Sequence, residues 1–181
     1  RSLPGPQKET FTSIAGHLRI LSSTWTYAAI YRPIPEDNCS VQVNIRQAAA
    51  SHYGPGFQPM LGLYWDKDTY VRILSGQDGV KTAADGAVGG KNGFRKEGEL
   101  SGIQNWVKIT LTPESILFDY SLDGFAWKRL HTQPRAGFEK APAFVFVGHG
   151  APGPNSLFQN ESHQERYQFY SYYKDFFIGK E

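Results

Sequence analysis

The sequence predicts an all-β domain built from two packed antiparallel sheets. Short segments in which apolar and polar residues alternate recur about every ten residues, and clusters of Gly, Pro, Asn and Asp separate them. No segment carries a sustained apolar period of about 3.6 residues, so we expect very little helix. A dozen or more short strands without an internal repeat are typical of a two-sheet jelly roll rather than of a propeller or a solenoid.

The clearest strand covers residues 40–46. Apolar and polar side chains occupy alternate positions there, namely Val41, Val43 and Ile45 against Gln42, Asn44 and Arg46. Because successive side chains of a strand point to opposite faces of its sheet, we expect the first set in the core and the second on an outer face.

The remaining strands follow from the same two-residue rhythm and from turn residues. The segment 66–68 predicts a hairpin turn, and Ser121-Leu122-Asp123-Gly124 predicts another. Residues 143–147 are expected to be covered on both faces, and the aromatic stretch 166–178 to form one long or bent closing strand. In chain order the further strands are predicted at 60–65, 69–74, 106–112, 116–120, 127–130, 143–147 and 166–178.

The chain is long enough for one substantial domain. A domain of 181 residues buries about 70% of the surface that its unfolded chain exposes. Residues 1–8, with Pro4, Gly5 and Pro6, are expected to form a linker or terminal extension, and residues 9–181 a single jelly-roll domain. Since the first residue is Arg1 rather than Met, we expect a processed protein or a piece of a longer one.

Charge and apolar content argue against two classes of partner. The 19 basic and 17 acidic side chains leave a net charge of +2, and no run of like charge is long enough to follow a phosphate backbone. No stretch approaches the roughly 20 apolar residues that span a bilayer. We therefore expect neither nucleic acid nor a membrane as a partner. The single Cys39 excludes an internal disulfide and is expected to be buried.

Acidic residues give a weak case for catalysis. Glu97 and Glu99 would share one strand face, as catalytic carboxylates of glycosidases do, but Gly98 lies between them and Arg95 precedes them, as in a charged sheet edge. A serine nucleophile motif is also missing from the sequence. We assign no catalytic residue. The alternative is a glycoside hydrolase or lyase with acids drawn from Glu97, Glu99, Asp66 and Asp119.

The polar strand face is the best candidate for ligand binding. Sugars present apolar ring faces and fixed hydroxyl directions, which suit planar amides, guanidinium groups and exposed aromatic rings. If the neighbouring hairpin pairs beside segment 40–46, its polar side chains join the same surface. The predicted carbohydrate-binding residues are Gln42, Asn44, Arg46, Tyr64, Tyr70 and Arg72. An ordinary solvated sheet face is the alternative.

Five short segments, taken in order, carry a resemblance to a known family. They are Leu61-Gly62-Leu63-Tyr64-Trp65, Tyr70-Val71-Arg72-Ile73, Trp106-Val107-Lys108-Ile109, Asp119-Tyr120-Ser121-Leu122-Asp123-Gly124 with Trp127, and Lys174-Asp175-Phe176-Phe177-Ile178. The chain resembles the concanavalin A-like lectin and glucanase superfamily, particularly accessory modules of bacterial glycoside hydrolases.

The resemblance implies structural roles and a metal site. It implies that Asp123, Gly124 and Trp127 form a structural hairpin turn, and that Glu9 and Asp175 contribute to a structural calcium site, with no cofactor required. The acidic strand motif of the superfamily's glucanases is missing from this sequence.

The resemblance and the polar face together predict a non-catalytic, lectin-like carbohydrate-binding module. We expect it to be extracellular or periplasmic and to act beside a glycan-processing enzyme, with a catalytic domain in the same parent chain as a partner. The alternatives are the hydrolase or lyase above and a structural module that mediates contacts between domains.

Overall fold

The computed structural model describes residues 11–23, 28–34, 37–47, 59–75, 81–100, 104–149 and 168–180. These ranges contain strands, turns and loops. No helix in them is long and apolar enough to cross a membrane. The expected linker at 1–8 lies outside them.

Thirteen strands within these ranges form two antiparallel sheets. They are β1 (Phe11–Ile14), β2 (His17–Ser23), β3 (Ala28–Pro33), β4 (Ser40–Gln47), β5 (Pro59–Asp66), β6 (Thr69–Leu74), β7 (Lys81–Val88), β8 (Lys91–Leu100), β9 (Gln104–Leu111), β10 (Ser115–Ser121), β11 (Lys128–Pro134), β12 (Phe144–His149) and β13 (Gln168–Gly179). The seven-stranded sheet has the order β1-β2-β13-β4-β9-β10-β11, and the six-stranded sheet has the order β3-β12-β5-β6-β7-β8. The predicted two-sheet β-sandwich is confirmed.

The core lies between the two sheets and is built from the alternate positions that the sequence indicates. In β4 the side chains of Val41, Val43 and Ile45 are buried, as expected. They pack in one cluster with residues of β9 and β10 on the same sheet and of β5, β6 and β12 on the other. Burial of such side chains contributes roughly 1.5–3 kcal/mol each, so this two-residue alternation supplies most of the driving force for the sandwich.

The eight predicted strands correspond to β4, β5, β6 and β9 to β13, and the structure differs from the prediction in strand number and extent. No strand is predicted at β1, β2, β3, β7 or β8. Trp127 precedes β11 instead of lying in it. In β12, Val145 and Phe146 are buried but Phe144 is 36% exposed, so that strand is not covered along its whole length.

The sequence of β7 explains why this strand was not predicted. The strand reads KTAADGAV, and Ala, Asp and Gly are depleted in strands. Small residues are required there because a Cβ on Gly86 would lie 2.7 Å from the ring of Phe94 and 2.8 Å from the carbonyl oxygen of Tyr70. Tertiary packing therefore overrides the local preference.

The two sheets present outer faces that point in opposite directions, since each sheet turns its other face to the shared core. Strand β4 belongs to the seven-stranded sheet, whereas the β5–β6 hairpin belongs to the six-stranded sheet. Any surface built by β4 is therefore separated from one built by the hairpin by the full thickness of the sandwich.

Candidate functional site

An ion-pair network lies on the outer face of the six-stranded sheet. Arg72, Asp85 and Arg95 occupy paired positions on β6, β7 and β8. The Nε of Arg72 donates to Oδ1 of Asp85 at 2.5 Å and its Nη2 to Oδ2 at 3.0 Å. Arg95 donates to the same Oδ2 at 3.1 Å and also to Glu97 at 3.1 Å. Because Arg72 and Asp85 are buried, this bidentate pair is held in one geometry.

Four aromatic rings form a cluster on the same outer face. The ring of Tyr31 lies 5.6 Å from that of Tyr64, 6.0 Å from that of Phe144 and 5.6 Å from that of Phe146, measured between centroids. Tyr31 is 37% exposed and Phe144 36%, whereas Phe146 is buried. Edge-to-face contacts of this kind hold rings in fixed orientations. The cluster therefore offers rigid, partly exposed ring surfaces.

A shallow depression and Tyr70 connect the ion-pair network to the aromatic cluster. Tyr70 pairs with Tyr64 across the β5–β6 hairpin, and the guanidinium carbon of Arg72 lies 5.7 Å from the centroid of the Tyr70 ring. The depression has a volume of about 330 Å³ and is lined by Tyr70, Arg72, Asp85, Gly86, Gly93, Phe94 and Arg95. We call the ion-pair network, the aromatic cluster and this depression together the hairpin face.

The phenol groups of the hairpin face are hydrogen-bond donors at neutral pH. Burial raises the pKa of Tyr31 well above its ordinary value, and the neighbouring Tyr64 adds to the effect. Burial also raises the pKa of Tyr64 and that of Tyr70, with Asp66 adding to the first and Asp85 to the second. All three hydroxyls therefore keep their protons.

The six residues predicted to form one polar surface lie on two. Tyr64, Tyr70 and Arg72 share the hairpin face, as their alternation indicates. Gln42, Asn44 and Arg46 lie on the outer face of the seven-stranded sheet instead, because β4 pairs with β9 and β13 and not with the hairpin. The expectation of a single surface was wrong; that each set binds a ligand stays a prediction.

The acids named for the hydrolase alternative do not form one group. Glu97 is ion-paired with Arg95, and Asp66 accepts a hydrogen bond from the backbone of Asp68 at the hairpin tip. Asp119 lies on the other sheet, where Arg129 donates to it at 2.5 Å. The backbone of Glu99 belongs to β8, but its side chain lies outside the described part of the structure.

The predicted calcium site cannot be assembled from the described residues. Glu9 lies outside them, and Asp175 is an exposed residue at a bulge of β13, where its φ is +52°. No group of three or more His, Cys, Asp or Glu side chains in the described ranges is arranged to hold a metal ion. The calcium site stays a prediction.

Sequence reasoning missed part of the hairpin face. It did not select Tyr31, Phe144 or Asp85, and it considered Arg95 only as a sign of a charged edge. The alternation of Arg95 with Glu97 is a signal that could have indicated an outward strand face. Asp85 gave no such signal, because its partner Arg72 is identified only by the register of β6 with β7.

Comparison with known proteins identifies the fold. No protein-family model and no curated protein sequence matches the chain. Among solved structures, a GH43 protein from Bacillus licheniformis is similar with a TM-score of 0.71 and 13% identity, over 96% of this chain and 35% of that one. The catalytic domain of an endo-1,3-beta-glucanase (laminarinase) from Thermotoga petrophila has a TM-score of 0.63 and 13% identity, over 95% and 79%. The fold is a concanavalin A-like jelly roll.

A third match shows that the jelly roll also occurs without an assigned activity. A functionally unknown protein from Saccharomyces cerevisiae has a TM-score of 0.68 and 11% identity, over 97% of this chain and 94% of that one. Against the GH43 chains the jelly roll spans only about a third of the length, 33% and 35% in two Bacillus licheniformis structures. The resemblance expected from the sequence is therefore confirmed at the level of the fold.

Proposed function

We propose that this jelly roll binds carbohydrate without catalysing a reaction, and that the hairpin face is the binding surface. The observation that carries the proposal is the placement of exposed aromatic rings beside a buried, bidentate ion-pair network and a depression of about 330 Å³. Pockets that bind small molecules combine apolar surface with a few fixed polar groups.

The chemistry of the hairpin face suits a neutral sugar. The ring of Tyr31 or that of Phe144 can cover the apolar face of one sugar ring, and the phenol of Tyr70 can donate to a hydroxyl group of another ring of an oligosaccharide. Arg95 keeps an exposed part while Asp85 holds one of its terminal nitrogens, so its guanidinium group is oriented before a ligand arrives. Such preorganisation reduces the entropy lost on binding.

The ion pairs argue against hydrolysis at this face. In a retaining glycosidase one carboxylate must attack the sugar. In both retaining and inverting glycosidases one carboxyl group must donate a proton to the leaving group. Both oxygens of Asp85 accept hydrogen bonds from arginine side chains, and Glu97 is bonded to Arg95. These carboxylates position guanidinium groups, which supports binding as the proposed role of this face.

We further propose that the module is extracellular or periplasmic and acts beside a catalytic domain in the same parent chain. Support comes from the GH43 chains, of which the jelly roll covers about a third. A module that holds a glycan would keep an attached enzyme near its substrate by raising the effective concentration.

Binding measurements on two variants test the proposal. A glycan array selects a neutral oligosaccharide, and calorimetric titration then compares the wild type with Tyr31→Ala and Arg95→Ala. We expect each substitution to weaken binding at least about tenfold, because each removes a preorganised contact. The matched control is Phe125→Ala, which removes an 88% exposed ring from the turn between β10 and β11 in the other sheet.

Three results would contradict this function. Unchanged affinity in both hairpin-face variants would exclude the surface. Release of shortened sugars from an oligosaccharide panel, followed by chromatography, would favour the hydrolase or lyase. The structural module would be favoured by two results together. No glycan would bind, and deleting this region would change the contacts between domains of the parent protein.

A further inference from the structure

The outer face of the seven-stranded sheet contains a buried amide donor without a partner. Asn44 is only 4% exposed, and its Nδ2 makes no hydrogen bond to any described residue. Leaving a buried donor unpaired costs free energy, so buried polar groups without a partner require an explanation. A ligand that supplies an acceptor is one explanation for such a group.

Three basic side chains lie near Asn44 on the same sheet face, and Trp106 is directly opposite Asn44 on β9. Lys174 on β13 is directly opposite Asn44, and Arg46 is two residues along β4. Lys108 on β9 is opposite Gln42, which makes it a diagonal neighbour of Asn44. Diagonal neighbours in an antiparallel sheet lie about 7–8 Å apart, within reach of long side chains. We call Asn44, Arg46, Lys108 and Lys174 the basic cluster.

Nearby carboxylates do not neutralise the basic cluster. Asp119 is opposite Lys108 on β10, but both of its oxygens accept hydrogen bonds from Arg129. Asp175 is exposed at the bulge next to Lys174, and none of the three cations forms an ion pair within the described ranges. No two of these cations are directly opposite each other, but all three lie near Asn44, so an anion held beside Asn44 would be attracted by all three.

Aromatic side chains lie beside the cluster. The ammonium group of Lys108 lies 4.4 Å from the centroid of the Trp127 ring, and Tyr172 is opposite Arg46. Both rings are half-buried, so each keeps an exposed part that a sugar ring could cover. The face therefore combines cations, a hydrogen-bond donor and aromatic surface.

We propose that the basic cluster is a second binding site, which takes the carboxylate or sulfate group of an acidic saccharide. The anion would lie among Arg46, Lys108 and Lys174 and accept a hydrogen bond from Nδ2 of Asn44. Since that nitrogen is buried, an exposed neighbour such as Lys174 must move aside on binding, which a flexible lysine side chain can do. The site lies on the opposite side of the sandwich from the hairpin face, so it does not depend on the function proposed there.

Titration with matched probes tests the site. Sulfated lactose, sialyllactose, lactose and sodium sulfate are titrated at constant ionic strength, while NMR follows the side-chain amide signal of Asn44. We expect the two acidic sugars to bind and shift that signal, and lactose and sulfate alone to bind at least about tenfold more weakly.

Two variants and a control distinguish binding at the basic cluster from an effect of the protein's net charge. Asn44→Asp replaces the donor by a carboxylate of similar size and should weaken acidic-sugar binding at least about tenfold. Arg46→Gln alters an exposed residue, so it remains informative if Asn44→Asp unfolds, and it should weaken binding severalfold. Lys67→Gln removes one charge from a side chain that is 81% exposed at the tip of the β5–β6 hairpin, and it should leave binding unchanged.

Each other outcome overturns the proposal. Equal binding of lactose and sulfated lactose would exclude an anion site, and equal binding of sulfate alone would exclude the saccharide. If Lys67→Gln weakened acidic-sugar binding as much as Arg46→Gln does, the effect would come from net charge. If the Asn44 signal did not shift, the sugar would bind elsewhere. Loss of acidic-sugar binding in Arg95→Ala would assign it to the hairpin face.

Discussion

At the scale of single residues, Arg135 shows how one buried cation organises a loop. Its guanidinium group donates to the carbonyl oxygens of Phe138 at 2.9 Å, Thr112 at 3.2 Å and Lys140 at 3.2 Å, and to a carboxylate oxygen of Asp37 at 2.9 Å. These acceptors come from three separate segments of the chain. Arg135 therefore fixes the path of the loop between β11 and β12.

We expect Arg135→Ala to lower the free energy of unfolding by about 3 kcal/mol, because several carbonyl groups lose a charged donor at once. Urea denaturation followed by circular dichroism measures the change. Lys67→Ala, at an exposed hairpin tip, is the control and should change the value by less than about 0.5 kcal/mol. Equal, small effects of the two substitutions would refute the role assigned to Arg135.

At the scale of elements, the turn between β10 and β11 is specified by its own residues. Oδ1 of Asp123 accepts hydrogen bonds from the backbone N–H groups of Phe125 and Ala126 at 2.8 Å and from the hydroxyl of Ser121 at 2.8 Å. Gly124 has a φ of +81°, and a Cβ there would lie 2.9 Å from the Trp106 ring. The sequence predicts this turn correctly because a turn depends on neighbours in the chain.

The same turn makes stability depend on pH. Hydrogen bonds from Ala126, Phe125 and Ser121 lower the pKa of Asp123 below its ordinary value. Its contribution to stability is therefore present above the unfolded pKa of about 3.9 and is lost as the pH falls through the folded pKa. We expect the Tm of the Asp123→Asn variant to fall less than that of the wild type when the pH is lowered from about 5 to about 2.

Thermal unfolding followed by circular dichroism across that pH range provides the measurement. Glu114→Gln, at an exposed position that precedes β10, is the control and should keep the wild-type pH dependence. Identical slopes for Asp123→Asn and the wild type would show that the turn carboxylate does not contribute.

At the scale of the whole molecule, a buried hydrogen bond between described residues joins the two sheets. The hydroxyl of Tyr173 on β13 donates to the carbonyl oxygen of Gly148 on β12 at 2.7 Å. Burial raises the pKa of Tyr173 far above its ordinary value, so the hydroxyl remains a donor at neutral pH. This hydrogen bond therefore connects β13 of the seven-stranded sheet to β12 of the six-stranded sheet.

Removing that hydroxyl tests how much the contact contributes. We expect Tyr173→Phe to lower the free energy of unfolding by about 1 kcal/mol, the typical value of one buried hydrogen bond. Tyr172→Phe alters the adjacent residue, which faces the outer surface, and should change stability by less than about 0.5 kcal/mol. If chemical denaturation gave the same value for both variants, the inter-sheet bond would not contribute.

The sequence alone determined eight of the thirteen described strands and the direction of their side chains, since both depend on alternation over a few neighbouring residues. It therefore predicted the buried Val41, Val43 and Ile45, and the shared face of Tyr64, Tyr70 and Arg72. Tertiary structure alone decided the sheet that each strand joins. The pairing of β4 with β9 and β13 involves residues far apart in the chain, and no local pattern encodes it. That pairing places the two predicted polar sets on opposite sides of the sandwich and brings Asp85 to Arg72.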